Sequence, residues 1–285
     1  MDVFRAAKLS DDRQELAEAV YLLVAPGDSE MLALAAERLG LTPATRAALG
    51  EPARSARADL TPDSVVLTLW TIDARGEPSV AVAASTGRGL LVVVDEPVAG
   101  AVSTAVTRAD GPGRALAAAA LTIADQTEQR VAALAESAED VDVARNGFFT
   151  GEQRRTLVAF RARLLRLQHQ CAAQQRVLTR DADLSEAVPG LVSAAARYAA
   201  AADSAAAAYA ALGDALDDLR TTVSERLTIV STVFLPLTLA GGFFGMNFGW
   251  MADHLDGATV FVVLGIVLPV LMTVATMRVV RRLSD

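Results

Sequence analysis

The sequence predicts an α+β protein in two parts: a small α/β/α sheet domain with long helices, followed by a two-helix transmembrane hairpin. Three observations carry this. Short Val- and Leu-rich stretches alternate with amphipathic ones in the first hundred residues, helical periodicity alone continues from about Val102, and two charge-free runs, Leu227 to Ala252 and Gly257 to Met277, follow almost back to back. A helix needs roughly 20 mainly apolar residues to cross the hydrocarbon core, and each run supplies them.

Element by element, Val20 to Ala25, Val65 to Ile72, Val80 to Ala84 and Leu90 to Val94 read as strands of one sheet, bounded by Gly, Pro, Asp or Ser. Asp28 to Leu39 reads as an amphipathic helix capped by Asp28 or Ser29, and Thr42-Pro43 opens another, Pro being suited to a first helical turn. Gly113 to Val143 and Thr150 to Thr179 are long helical segments separated by the breaker Asn146-Gly147, which predicts an antiparallel helical hairpin. A third begins near Ser185; unbroken from Pro189 to Phe244 it would be on the order of 80 Å long, a stalk. Its block from Ser193 to Leu212 is mostly alanine, which favours helix and lets neighbouring helices approach, and from which a soluble monomer would gain little. The expected division is a cytoplasmic α/β domain at 1–100, a cytoplasmic helical hairpin at 101–184, a stalk continuing into the first span at 185–246, an extracytoplasmic loop at 247–257, a second span at 258–278 and a basic cytoplasmic tail at 279–285.

Composition narrows the function. The chain is 52% hydrophobic with mean hydropathy +0.33, too apolar for a typical soluble protein of its size, and the excess sits in the last sixty residues. Met1 to Arg13 hold no apolar segment suited to a signal peptide, so the N-terminal domain is expected to stay in the cytoplasm. Arg220 and Arg226 precede the first run and Arg278, Arg281 and Arg282 follow the second, whereas the connection carries Asp253 and Asp256; both termini are therefore expected on the cytoplasmic side of a cell membrane. A net charge of −8 argues against nucleic acid and suits cations. Cys171 cannot form an internal disulfide and reads as a buried thiol, and His169 and His254 with Cys171 make no zinc-type cluster. No phosphate-cradling loop, nucleophile elbow or carboxylate–histidine arrangement is present, and the Gly-rich fragments near Gly87 and Gly111 read as turns, so an enzyme is not expected.

Stepping along the third helix by alternating fours and threes gives Asp203, Ala207, Ala210, Asp214, Asp217, Thr221, Ser224, Thr228, Ser231, Leu235, Thr238, Gly242 and Gly245. Heptad spacing keeps one seam of a helix on a common axis, and this seam is small or polar even inside the apolar run. Two readings stand: the hydroxyls bond back to their own helix and the aspartates are a solvated face, or several copies enclose a passage that one hairpin cannot. In a ring, Asp214 and Asp217 would concentrate cations, and Leu235, with Leu227 just off the seam, would form a constriction able to dewet. Pro236 either kinks the helix or frees a carbonyl near the lumen, and Gly241-Gly242 reads as a close-packing site.

The ordered pattern Leu227-Thr228-Ile229, Phe234-Leu235-Pro236-Leu237-Thr238 and Gly245-Met246-Asn247-Phe248, with a second span and basic tail after it, closely resembles the CorA family of divalent-cation transporters. The resemblance is strong in the last sixty or so residues, and the upstream layout agrees with the family's cytoplasmic α/β domain. It implies a homopentamer with a funnel-shaped cytoplasmic part, the first span lining the pore, the second facing lipid, and Gly245, Met246 and Asn247 as an outer selectivity filter whose five Asn side chains hold a hydrated ion. Asn at position 247 also suits a helix C-cap.

Several positions depart from the family pattern. Thr221 stands where Asn is common and Glu225 where a basic residue is common. In the outer loop, Trp250-Met251-Ala252-Asp253-His254-Leu255 replaces the frequent Met-Pro-Glu-Leu, leaving Asp253 and Asp256 to attract cations. Regulatory metal sites of the family lie between cytoplasmic subunits; here Glu186 with Asp181 or Asp183 are candidates by location alone. The expected function is inward movement of Mg²⁺, with Co²⁺ or Ni²⁺ as further cargo, no cofactor, and Mg²⁺ in a second, regulatory role. The alternatives are a zinc transporter of the same superfamily, toward which His254 points, and a non-conducting membrane-anchored metal sensor or scaffold.

Overall fold

The structure is a computed structural model and describes residues 21–50, 56–73, 76–139, 151–245, 259 and 262–284. In chain order the elements are β1 (Tyr21–Val24), α1 (Ser29–Arg38), α2 (Pro43–Gly50), β2 (Arg57–Leu60), β3 (Ser64–Ile72), β4 (Pro78–Thr86), β5 (Gly89–Val93), α3 (Glu96–Val106), α4 (Pro112–Glu139), α5 (Gly151–Arg180), α6 (Ala182–Ala187) and α7 (Leu191–Gly245), then a π-helical turn at Val263–Val267 that leads into α8 (Leu268–Ser284). The strands form one sheet in the order β1-β5-β4-β3-β2, parallel only between β1 and β5. The described residues divide into two compact units, the first ending at Gly213 and the second beginning at Asp214.

Local chemistry explains the first unit's elements. Asp28 caps α1, its Oδ1 accepting from Met31 N at 3.0 Å, and Gly40, at φ +68°, ends it. Leu41 N donates to Ala36 O and Gly40 N to Glu37 O, the paired bonds of a Schellman stop that only a residue tolerant of positive φ closes cheaply. Thr42 Oγ1 accepts from Thr45 N at the start of α2. The β3–β4 register runs from Ser64–Thr86 to Ile72–Pro78, and the β4–β5 turn is Gly87-Arg88. Every residue of β5 is buried, so both faces of the sheet are covered there.

Three elements of the first unit, β2, α3 and the short α6, were not expected from the sequence. β2 lacks the Val-rich signature because it is an edge strand that pairs on one side only. α3 is short, and its apolar Val98, Val102 and Val106 read equally as the end of a sheet region until its packing against α4 is known. The long helices lie within a few residues of expectation, and the breaker Asn146-Gly147 falls outside the described residues.

The alanine block needs a correction. Ala194, Ala201, Ala205 and Ala208, with Tyr198 and Leu212, form a buried stripe of α7 within the first unit, so one face of the block packs inside its own chain. Small side chains let a third helix come close where larger ones would stand off.

What fixes α7 to the sheet is an unpaired stretch of β3. β2 reaches only to the Arg57–Thr68 pair, leaving later β3 peptide groups without a strand partner on that side among the described residues. Side chains from three helices take over: Gln174 Oε1 of α5 accepts from Trp70 N at 3.1 Å, Tyr198 Oη of α7 donates to Trp70 O at 2.6 Å, and an Arg130 guanidinium N–H of α4 donates to Ile72 O. Buried peptide groups left open would each cost about 1–3 kcal/mol, so this capping is a substantial part of how the helices register on the sheet. Cys171 lies one turn before Gln174, buried as expected, and burial pushes its thiol up to about 12. Burial likewise raises the Tyr198 phenol, reinforced by the neighbouring Cys171 and opposed by a hydrogen bond with Thr127.

Candidate functional site

The seam predicted along α7 is exposed at every described position from Asp203 to Gly242. In the first unit this is informative, because Asp203, Ala207 and Ala210 stand apart from the buried stripe on the same helix. In the second unit nearly every described residue of α7 is exposed, apolar ones included: Leu227 is 62% accessible, Phe234 63% and Leu235 74%. The described part of the second run is similar, with Ile266, Val270 and Leu271 all exposed. Apolar side chains all round a helix require an apolar surrounding that the described residues do not supply.

Among the described residues no helix is long and apolar enough to cross a membrane. The first charge-free run is described as helix only to Gly245, and the second begins in description at residue 259 and ends among the arginines of α8. The π-helical turn was not foreseen. Pro269 has no N–H to give Gly265 O, and the chain widens just before it, with Leu268 N donating to Val263 O.

Hydroxyls of the seam bond back to their own helix. Thr221 Oγ1 donates to Asp217 O at 3.1 Å, Thr228 Oγ1 to Ser224 O at 2.9 Å and Thr238 Oγ1 to Phe234 O at 2.7 Å. This is the first of the two sequence readings, and it does not exclude the second. A hydroxyl whose proton is spent on a carbonyl presents only lone pairs outward, and is therefore an acceptor. Asp214 and Asp217 are exposed on the same seam, and an added Cβ at Gly241 or Gly242 would touch nothing among the described residues. Pro236 lies inside α7.

Of the terminal motif, Gly245 ends α7; Met246, Asn247, Phe248, Asp253, His254 and Asp256 lie outside the described residues. The regulatory candidates fall at α6, where the Asp181 carboxylate accepts from Asp183 N at 3.0 Å as the helix cap, while Asp183 and Glu186 are exposed. Among the described residues no group of three or more His, Cys, Asp or Glu is placed to hold a metal ion. Within one chain the carboxylates of α6 are thus a cap and a solvated face.

A sheet unit bearing a long helix with a polar seam, followed by exposed apolar helix, defines a class: a protein completed by copies of itself or by lipid. The family is more definite. A family model described as CorA-like Mg2+ transporter protein matches residues 20–282, and the chain belongs to that family of transporters. Among solved structures it is similar to the complete CorA magnesium transporter of Methanocaldococcus jannaschii, at TM-score 0.60 and 15% identity over 92% of this chain and 90% of that one. It is also similar to full-length CmaX protein, at TM-score 0.51 and 18% identity over 93% and 88%, and to the ZntB cytoplasmic domain of Vibrio parahaemolyticus RIMD 2210633, at TM-score 0.56 and 12% identity over 72% and 88%. At these identities the likeness is one of fold. No curated protein matches the chain.

Proposed function

We propose that the chain forms a homopentameric channel for inward movement of divalent cations, Mg²⁺ above all, with both termini cytoplasmic. The observation that carries this reading is the exposed seam from Asp203 to Gly242, which puts carboxylates, acceptor hydroxyls and glycines in one line on a helix otherwise flanked by exposed leucine and phenylalanine. Around a five-fold axis that line becomes the lumen, while the apolar flanks and α8 meet neighbouring copies and lipid. Asp214 and Asp217 attract cations at the inner mouth, Leu227 and Leu235 form an apolar gate, and Asp253 and Asp256 collect ions outside.

Selectivity falls to Gly245, Met246 and Asn247. Mg²⁺ releases its waters reluctantly, so neutral amide oxygens that accept hydrogen bonds from those waters select the hydrated ion without stripping it. The outward lone pairs of Thr221, Thr228 and Thr238 extend the same service along the path. An inside-negative potential favours entry by about 2.3 kcal/mol per charge per 100 mV, roughly twice that for a divalent ion, so no coupled energy source is needed. Regulatory Mg²⁺ held between neighbouring subunits would close the path by drawing them together. No covalent chemistry is involved.

Asn247→Ala should abolish Mg²⁺ uptake in cells lacking their own importer while leaving the oligomer intact; normal uptake by that variant would reject the filter. A second reading, transport of Zn²⁺, draws on the fold likeness to the ZntB cytoplasmic domain and on His254. Competition in a flux assay separates the two, Zn²⁺ preference with pH-dependent uptake favouring the second.

A further inference from the structure

α5 carries the largest basic excess of the described elements in this acidic chain. The chain has 34 acidic and 26 basic residues, and α5 alone holds seven arginines against one glutamate. Two of the seven are directed at their own chain: Arg161 stacks 4.4 Å over the Tyr209 ring, and Arg163 lies 3.5 Å from Glu77. Arg155, Arg166, Arg176 and Arg180 are exposed, and no carboxylate of the described residues pairs with them.

These four, with exposed His169, fall on one line. At about 100° per residue they lie within an arc of about 80° and span about 38 Å of helix, interrupted by exposed Val158 and by Ala162 and Ala173. The opposite face, Leu157, Leu164, Leu167, Cys171 and Leu178, is buried in the first unit. The helix dipole accounts for Arg176 and Arg180 at the C-terminal end but opposes Arg155 near the N-terminal end, so dipole compensation does not explain the line. At Arg180 it meets a cavity of about 490 Å³ between α5, α6 and the edge strand β2, walled by Ala58, Leu60, Val177 and Leu184 and flanked by Arg57.

We propose that this basic line is an assembly surface that receives the acidic surface of a second copy. The reading rests on the self-assembly proposed above and names the contact that drives it in the first unit. Copies of a chain with net charge −8 repel one another unless unlike patches are brought together. A closed ring of more than two copies also requires two different patches per copy, one for each neighbour. A basic face on a sheet-unit helix of a chain with net negative charge meets both requirements, and the recess beside β2 gives the contact a fixed end.

The test uses the full chain in detergent, with subunit number measured by native mass spectrometry. Arg166→Glu with Arg176→Glu should weaken assembly by about tenfold or more in the concentration needed, as should about 0.5 M NaCl on the unaltered chain. An assembly of this double variant as stable as the unaltered chain's overturns the assignment. A photo-crosslinking residue in place of His169 reads the same contact without reversing any charge. Adducts to an acidic segment of another copy support it; adducts only within the same chain, to lipid or to co-purified nucleic acid overturn it. An unaltered chain that is monomeric in a bilayer would instead overturn the proposed channel itself.

Discussion

The two stretches of α7, before and after Gly213, share one helix and differ in who satisfies them. Before Gly213 the helix has a buried alanine face, a tyrosine that caps a strand carbonyl and an exposed seam; after Asp214 Leu227, Phe234, Leu235, Leu237 and Leu239 are open. The first stretch completes its packing inside the chain. The second leaves it to surroundings outside the chain, which is how a helix can be stable in a membrane or an assembly with little tertiary contact of its own.

This contrast is strongest at leucines. Leu67→Ala, at a fully buried side chain of β3, should cost about 3 kcal/mol of stability, whereas Leu239→Ala in the exposed part of α7 should cost under about 0.5 kcal/mol because acyl chains or detergent fill the space left. Thermal unfolding of both variants in one detergent checks the pair, and equal losses would break the comparison. Tyr198→Phe should cost about 1–2 kcal/mol by leaving Trp70 O without its phenol donor, with the unfolding midpoint as readout.

A pH series sharpens the same point. The Cys171 thiol is raised from its ordinary 9.0 to about 12 in the fold, so the folded state holds the proton more tightly than the unfolded one. The stabilisation is fully present below pH 9 and is lost progressively as pH rises from 9 toward 12, where the unfolded chain ionises first. The raised Tyr198 phenol acts in the same direction. Cys171→Ala should therefore flatten the alkaline fall of the unfolding midpoint; an unchanged slope would show that the thiol is not buried in solution. The smallest effect on stability is expected at Thr228→Val, which leaves the unfolding midpoint unshifted but removes one outward acceptor worth about 1 kcal/mol, roughly fivefold in Mg²⁺ uptake.

Much of the fold was legible because its signals are local. Val- and Leu-rich runs located β1, β3, β4 and β5, Asp28 marked the start of α1, and the three-four spacing of small and polar residues located the seam. β2 was not legible, since Arg57-Ala58-Asp59-Leu60 becomes a strand only by pairing with β3. The basic line of α5 was present as arginines in the sequence, but the spacing alone did not separate Arg161 and Arg163, which turn toward Tyr209 and Glu77, from those left outside.

Residue order by itself determined the two charge-free runs, the Gly245-Met246-Asn247 ending and the helical periodicity, because each depends on neighbours a few positions apart. The tertiary structure alone decided the sheet order, which alanine face of α7 is buried, and that Trp70 is capped by Gln174 and Tyr198. Those outcomes depend on groups far apart in the chain, 104 and 128 positions for the two bonds to Trp70, and no local pattern encodes which distant side chain arrives to satisfy an open peptide group.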